Sequence, residues 1–322
     1  MTKMLNGRRP LVVVAVGGNS LILDDKHTSI HDQYEAARNT AKHVVDLMQH
    51  GYRVVLTHGN GPQVGFILRR SELSIGELPA VPMHYAGADI QGAVGFMFVT
   101  AIESELARRS GSGSAVALVT RVEVDPEDPA FANPTKPIGS HMSEERAQRL
   151  AQELGWIVRE DAGRGWRRVV PSPLPKQIVD LDALRILTDA GYTVVGCGGG
   201  GIPVRRSDDG GFTGVEAVID KDLASSLLAQ QLGADALVIS TGVSKVALEF
   251  NTPNERWLDE LTLAEARHYM AEGHFHAGSM GPKVTAVAGF VEATGRPGVI
   301  TDPVHLIEAL QGHNGTRIVA DR

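Results

Sequence analysis

Cysteine is almost missing from this chain. Cys197 is the single thiol, so no intrachain disulfide can form, and its place beside a valine run marks it as a small apolar filler. That usage suits a reducing cytoplasm. No apolar run reaches the roughly 18 to 20 residues that a membrane-spanning helix needs. The opening MTKMLNGRRP is charged and holds no apolar stretch, so neither a signal peptide nor a membrane span is expected. Basic residues are also short: 31 Lys and Arg against 38 Asp and Glu give a formal charge of −7, which argues against a nucleic-acid surface driven by bulk charge. Motifs are missing too. Neither the turn at 17–19 nor the turn at 59–61 matches GxGxxG or GxxxxGK[ST], and there is no HExxH, no Cys/His ligand spacing and no GxSxG, which disfavours a dinucleotide enzyme, a P-loop, a zinc site and a serine hydrolase in turn.

Glycine-rich turns that follow runs of β-branched residues are what the chain does have. Residues 12–20 read VVVAVGGNS, 53–65 read RVVLTHGNGPQVG and 193–204 read TVVGCGGGGIPV. A buried strand that ends in glycines puts bare backbone N–H groups where a helix begins, and α/β proteins hold phosphate and carboxylate oxygens in that way. Gly17, Gly18 and Asn19 alone fit a tight turn equally well, since positive-φ turns favour Gly and Asn. The second turn, Gly59, Asn60 and Gly61, leads through Pro62 and Gln63 into a helix and tips the balance toward a shared anion site at strand ends.

With 43% hydrophobic residues in 322, the chain can bury the core of a large α/β unit of one or two lobes. Valine-rich strands are expected at 11–16, 54–56, 115–119, 193–195 and 236–239, and helices at 34–49, 90–108, 144–153, 182–190, 221–231, 263–272 and 282–293. Gly51, Gly155, Gly191, Gly233 and Gly273 stand where helices should stop. The alternation predicts a mainly parallel sheet with helices on both faces. Residues 121–172 break the rhythm with a proline-rich, polar stretch, a short helix and two strand-like pieces around 156–159 and 166–170, which predicts a small protruding excursion or lid. The polar, glycine-rich RRSDDGGFTG at 205–214 divides the chain into an N-terminal lobe, 1–212, and a C-terminal lobe, 213–322.

Four successive glycines at 198–201 cost entropy to order, so they mark either a hinge or a place where backbone must approach something closely. Three lysines sit in framed positions: Lys136 between prolines in NPTKPIG, Lys221 at a helix start in VIDKDLASS, and Lys283 in GSMGPKVTAV. A lysine at a helix N-terminus opposes the helix dipole and asks for an anion nearby. One such lysine reads as solvated surface, but three are hard to dismiss. Asp220 and Asp222 flank Lys221, either to orient the ammonium groups and contribute indirectly to a magnesium site, or to cap the helix. His58, beside the second turn, reads as a histidine that satisfies its own hydrogen bonds.

The series AVGGNS, THGNGPQVG, AGADIQGAVGF, DPAFANPTKPIG, GRGWRRVVPSP, CGGGGIPV, GVEAVIDKDLAS and GSMGPKV, in this order, resembles the carbamate kinases of the amino acid kinase superfamily over nearly the whole chain. The resemblance implies an αβα sandwich around one mainly parallel open sheet, with the carbamoyl group in the N-terminal lobe, ATP or ADP in the C-terminal lobe, a protruding subdomain at about 121–172, and a homodimer. It implies carbamate and carbamoyl phosphate as substrates, with Mg²⁺, and no nucleic-acid or membrane partner. Carried over, Gly17, Gly18, Asn19, Gly59, Asn60 and Gly61 would hold the phosphoryl and carbamate groups. Lys136, Lys221 and Lys283 would neutralise charge, with Asp222 organising them, and Gly199 and Gly200 would admit the phosphate chain. Related kinases carry a lysine in the first strand; here Ala15 and Val16 stand there, in keeping with Lys136 taking the role.

Phosphoryl transfer to a carbamate oxygen, already an anion, needs positioning and charge dispersal but no general base. One segment departs from the pattern: where the family reads like LTDVDAVY, this chain has Gly242, Ser244 and Ala247, on the nucleoside side. That departure keeps a non-catalytic nucleotide or carbamoyl phosphate sensor open as an alternative, beside a kinase for another small carboxylate.

Overall fold

The computed structural model describes residues 8–17, 21–22, 24, 26–161, 163–276 and 278–321. In chain order the helices are α1 (Ile30–Gln49), α2 (Gly61–Leu73), α3 (Met83–Arg108), α4 (Glu144–Leu154), α5 (Leu181–Asp189), α6 (Lys221–Leu232), α7 (Leu263–Ala271), α8 (Met280–Thr294) and α9 (Leu306–Leu310). The strands are β1 (Leu11–Val16), β2 (Arg53–His58), β3 (Ala115–Ala117), β4 (Arg121–Val124), β5 (Lys136–Met142), β6 (Ile157–Glu160), β7 (Trp166–Val170), β8 (Pro175–Ile178), β9 (Thr193–Val195), β10 (Ile202–Arg206), β11 (Phe212–Gly214), β12 (Ala236–Ser240), β13 (Val246–Leu248), β14 (Arg256–Leu258), β15 (Glu260–Thr262), β16 (Gly298–Thr301) and β17 (Thr316–Val319).

Eight strands form one sheet in the order β15-β17-β16-β12-β1-β2-β9-β3, parallel throughout except for the antiparallel β16–β17 pair. β1 lies at its centre, with Val14 opposite Val238 on one side and Leu56 on the other. All six residues of β1 are buried, because both faces of the sheet are covered, and a strand with two apolar faces reads as an unbroken valine run. Val13, Ala15, Val55, Leu237 and Ile239 pack on one face with Ala224 and Leu228 of α6 and Val284, Val287 and Phe290 of α8. Val12, Val14, Leu56 and Val238 pack on the other face with Ala37 and Val44 of α1, Ile90 and Phe98 of α3, and Leu306 of α9. The result is the expected αβα sandwich.

Residues 121–172 contain the short helix α4 and the antiparallel sheet β5-β7-β6, called the lid for the excursion expected there. β4, at the start of that range, pairs instead with β10 and β8 in a four-stranded sheet that β11 completes. The five glycines expected to end helices all have positive φ, from 65° at Gly233 to 93° at Gly191. α1 starts four residues before the expected 34 because Ser29 and Asp32 form a capping box. α3 starts at Met83, well before 90, where the Glu216 carboxylate accepts the Met83 N–H at 2.9 Å. Among the described residues α3 is the one helix long and apolar enough to cross a membrane by length and composition, and half of that stretch is buried inside the protein.

Phe290 is fully buried on α8. Its replacement by alanine is expected to cost about 3–5 kcal/mol, the transfer term plus the cavity left behind, read as a lowered midpoint in urea denaturation.

Candidate active site

A cavity of about 190 Å³ opens at the carboxyl end of the central strands. Gly59, Asn60, Gly61, Lys136, Gly199, Lys221, Asp222 and Lys283 all line it. Sequence positions far apart meet because β2, α6 and α8 all point their ends toward it, while β5 brings Lys136 from the lid.

Asp222 lies at the centre of the charge arrangement. Its Oδ1 accepts from Lys221 Nζ at 2.5 Å and its Oδ2 from Lys283 Nζ at 3.0 Å. Burial works to raise the Asp222 pKa, yet the two ammonium charges hold it below the usual carboxylate range. Burial pushes Lys221 the other way, below the usual lysine range, against the pull of Asp222. Asp220 does two jobs. Its Oδ1 caps α6 by accepting from Asp222 N at 2.9 Å, and its Oδ2 accepts from Lys136 Nζ at 2.9 Å. Both readings of the Asp220 and Asp222 pair, cap and lysine holder, therefore apply together. A buried hydroxyl relay fixes the start of α6: Ser225 Oγ donates to the Lys221 carbonyl at 2.6 Å and leaves its own oxygen to accept from Thr57 Oγ1 of β2, also at 2.6 Å. Three ammonium groups face two carboxylates, so the cavity carries an excess of positive charge.

Two helix N-termini add to it. Neither Asn60 before α2 nor Ser279 before α8 gives a side-chain cap, so first-turn N–H groups are free of the usual side-chain acceptor.

The four glycines at 198–201 are buried, and they answer to protein neighbours. A Cβ on Gly198 would meet His58 Nε2 at 2.2 Å, and one on Gly199 would meet Asn60 Nδ2 at 1.9 Å. One on Gly200 would strike the Ile219 carbonyl oxygen at 2.4 Å. Gly199 lines the cavity, whereas Gly200 packs against the carbonyl of Ile219, a residue that lines it, and does not line it itself. These glycines form a socket for His58 and Asn60, and buried Gln91 of α3 holds it by donating to the Gly198 carbonyl at 3.0 Å. Such a close-packed socket accounts for the four glycines without invoking a hinge. His58 is buried, with Nδ1 donating to the Gly59 carbonyl at 3.1 Å; burial lowers its pKa to about 4, so it is neutral at ordinary pH. Cys197 is likewise buried, and burial pushes its thiol pKa up, which makes it inert.

Gly17 ends β1 within reach of the Ser240 carbonyl but lines neither this cavity nor the one described next. Gly18 and Asn19 lie outside the described residues.

A second cavity, of about 610 Å³, lies beyond the carboxyl end of β12. Gly242 and Ala247 line it, with Phe250, Trp257 and His274, while Ser244 does not. The sequence pointed to segment 239–247 here but missed Phe250 and His274, which sit in loops, and Trp257, in the three-residue strand β14, none of which carries a periodic signal. Ser279 and Met280 line this cavity and Lys283, in the same helical turn region of α8, lines the smaller one, so the start of α8 spans both.

The model of the amino acid kinase family matches residues 10–302. The chain belongs to the amino acid kinase family. Within this family it is 46% identical to the carbamate kinase of Pyrococcus furiosus over 96% of this chain and 98% of that protein. It is 48% identical to the carbamate kinase-like protein YahI of Escherichia coli over 97% and 99% of the two chains. The structure of carbamate kinase from Giardia lamblia bound to AMP-PNP superposes with a TM-score of 0.90 at 42% identity, covering 97% of this chain and 99% of that one. The amino acid kinase fold expected from the sequence is the fold observed.

Asp222→Asn leaves two neighbouring ammonium groups without their shared anion, a loss of about 3–5 kcal/mol at neutral pH. The pH dependence has a definite sign. With its charge partner gone, Lys221 has a folded-state pKa still further below its unfolded one, so it binds fewer protons folded than unfolded, and stability rises as pH climbs through the folded value. Denaturant melts of wild type and variant at about pH 7 and about pH 9.5 are expected to show the gap narrowing at the higher pH.

Proposed function

We propose that the protein catalyses reversible phosphoryl transfer between ATP and carbamate, giving ADP and carbamoyl phosphate. The observation that carries this reading is the small cationic cavity in which Lys136, Lys221 and Lys283 converge beside the start of α2, which has no side-chain cap. A carbamate oxygen attacks the γ-phosphorus in line, the bond from phosphorus to the β,γ-bridging oxygen breaks, and ADP departs with that electron pair. No proton changes hands, in keeping with a site whose nearest histidine, His58, is neutral and hydrogen-bonded to backbone. Lys221 and Lys283 spread the charge on the transferring group and the leaving phosphate, and Asp222 sets the distance between them. Lys136 reaches over the cavity from the lid. The turn at Gly59, Asn60 and Gly61 takes the carbamoyl end through backbone N–H groups, as we also assign to Gly17, Gly18 and Asn19. A cavity of about 190 Å³ leaves little room for the side chain of a larger carboxylate.

The larger cavity is the place for the nucleoside, with the phosphate chain running over the start of α8 toward Lys283. Gly199 belongs to the phosphate path through its bare Cα, and Gly200 serves it indirectly by holding the socket against Ile219. Mg²⁺ would come with the nucleotide and supply further charge neutralisation on the phosphate chain; the Asp222 oxygens are engaged by Lys221 and Lys283 and those of Asp220 by Lys136 and the α6 cap, so these carboxylates would act on it indirectly, through the lysines they hold. On this reading the N-terminal lobe, 1–212, holds the carbamoyl group and the C-terminal lobe, 213–322, the nucleotide. A homodimer would cover the exposed Tyr85 and Phe96 of α3. The bare Gly242 and Ala247 in the nucleoside cavity favour one second reading, a sensor that binds nucleotide without turnover.

ATP formation from ADP, Mg²⁺ and carbamoyl phosphate separates the two. Robust turnover is expected, falling by about 10²- to 10³-fold in Lys136→Ala and Lys283→Ala as charge stabilisation is lost. A folded wild type that binds ADP yet makes no ATP would sink the kinase and leave the sensor.

A further inference from the structure

The lid carries a cation that the reaction scheme above leaves unused. Arg168 of β7 sits opposite Ile138 of β5, two residues along from Lys136, which is itself opposite Val170. Its guanidinium stacks on the Trp156 ring at 4.8 Å and makes no hydrogen bond or ion pair among the described residues. Its strand neighbour Arg167 donates to the Gly139 carbonyl at 3.1 Å and pairs with Asp161 at 3.3 Å. Arg168 is only partly exposed, and burial pulls its pKa below the usual arginine range while the charges of Glu216 and Glu72 pull it back.

Two adjoining cavities lie between the lid and the body. One, of about 210 Å³, is lined by Ile138, Gly139, Trp156 and Arg168; the other, of about 340 Å³, by Trp156, Arg168, Glu72 and Glu216. Glu72 of α2 is taken by Arg69 at 2.9 Å and Arg146 at 3.8 Å. Glu216 uses Oε1 for Met83 N and His84 Nδ1, and its Oε2 has no such partner among the described residues. Glu216 also precedes α6, which carries Lys221. Lid and body touch closely where a Cβ on Gly65 of α2 would lie 2.9 Å from Gly139 Cα.

We propose that Arg168 is a positioning residue for the transfer: when substrate draws Lys136 onto the phosphoryl group, the lid settles across the 340 Å³ cavity and the Arg168 guanidinium pairs with Glu216 Oε2. The paired strands β5 and β7 move as one, so this latch fixes where Lys136 stands over the smaller cavity. It joins the element that bears Lys136 to the segment that leads into Lys221. The inference rests on the kinase reading for its link to catalysis.

Arg168→Gln, Glu216→Gln and the double variant test it; the glutamine at 216 keeps an acceptor for Met83 N while removing the charge. Each single variant is expected to lower kcat by roughly 10- to 100-fold, with the KM for ADP within about two-fold of wild type, and the double variant to be no worse than the poorer single. Arg168→Lys should recover part of kcat. Hydrogen exchange of the lid supplies a readout independent of turnover: carbamoyl phosphate with ADP should slow exchange over 136–170 in wild type but not in either single variant. Unchanged kcat in both variants, losses that multiply in the double variant, or equal slowing of exchange in wild type and Glu216→Gln would overturn the latch. Should Arg168→Gln not fold, Glu216→Gln decides alone through kcat and exchange. Absent turnover in wild type counts against the kinase reading, and the exchange measurement still decides the latch.

Discussion

A buried carboxylate between two ammonium groups holds this site together. Asp222 is almost wholly enclosed, and without it the positions of Lys221 and Lys283 could not be kept, since two like charges at the starts of neighbouring helices repel each other and oppose both helix dipoles. Taking three ions out of water is costly, and the cost is met only where each carboxylate oxygen has its own donor, as here. The same residue sits in the first turn of α6, whose N-terminus Asp220 caps and whose opening carbonyl Ser225 fixes. One short stretch of sequence therefore ties α6 to α8, to β2 through Thr57, and to the lid through Lys136. On the proposed reading, an arriving phosphoryl anion would find the charges of Lys221 and Lys283 already placed, with only Lys136 and its lid left to settle.

The neutral side of the cavity is set by shape. His58 and Asn60 project from the end of β2 into the space that side chains at 198 and 199 would otherwise fill. Four glycines lose much conformational entropy on folding, and what offsets that loss is a close interlock between two strand-end turns, further held by Gln91. A close-packed interlock serves a tiny substrate well. Carbamate, the substrate proposed above, has no remote groups whose binding could be used to organise a loose site, so the turns would have to be organised beforehand.

Much of this was legible in the sequence, for identifiable reasons. β1 and β9 fall at 11–16 and 193–195 as expected, because strands buried on both faces declare themselves as valine runs. The terminal strands β16 and β17, GVIT and TRIV, were not foreseen; four residues flanked by polar turns give too short a period to register. The three lysines stood out by their glycine and proline frames, and they do converge. What local sequence could not reveal is which atoms approach the glycines at 198–201. The same four residues serve a ligand, a hinge or a side-chain socket, and only the fold brings His58 and Asn60 against them. Arg168 was hidden for a similar reason. In the run WRRVV nothing distinguishes it from Arg167, yet strand alternation turns one toward Asp161 and the other toward Trp156 and the lid cavity.

The two cavities differ in how firmly they constrain their residues. At the phosphoryl end a misplaced charge costs several kcal/mol, so Lys221, Asp222 and Lys283 are each held by the others. At the larger cavity, the proposed nucleoside end, loops join the short strands β13 and β14 in forming the walls, and Gly242 and Ala247 offer no polar side chain that could grip a base. Stacking against Phe250 and Trp257, which pack edge to face at 6.0 Å, can supply binding there without specific hydrogen bonds. A purine held by stacking keeps its phosphate chain in register as long as the start of α8 defines where that chain ends. On the proposed reading, departure from the family pattern at 242, 244 and 247 would bear on which base is preferred and how tightly it is held, while the transfer itself would depend on Lys221, Asp222 and Lys283, which are fixed by one another.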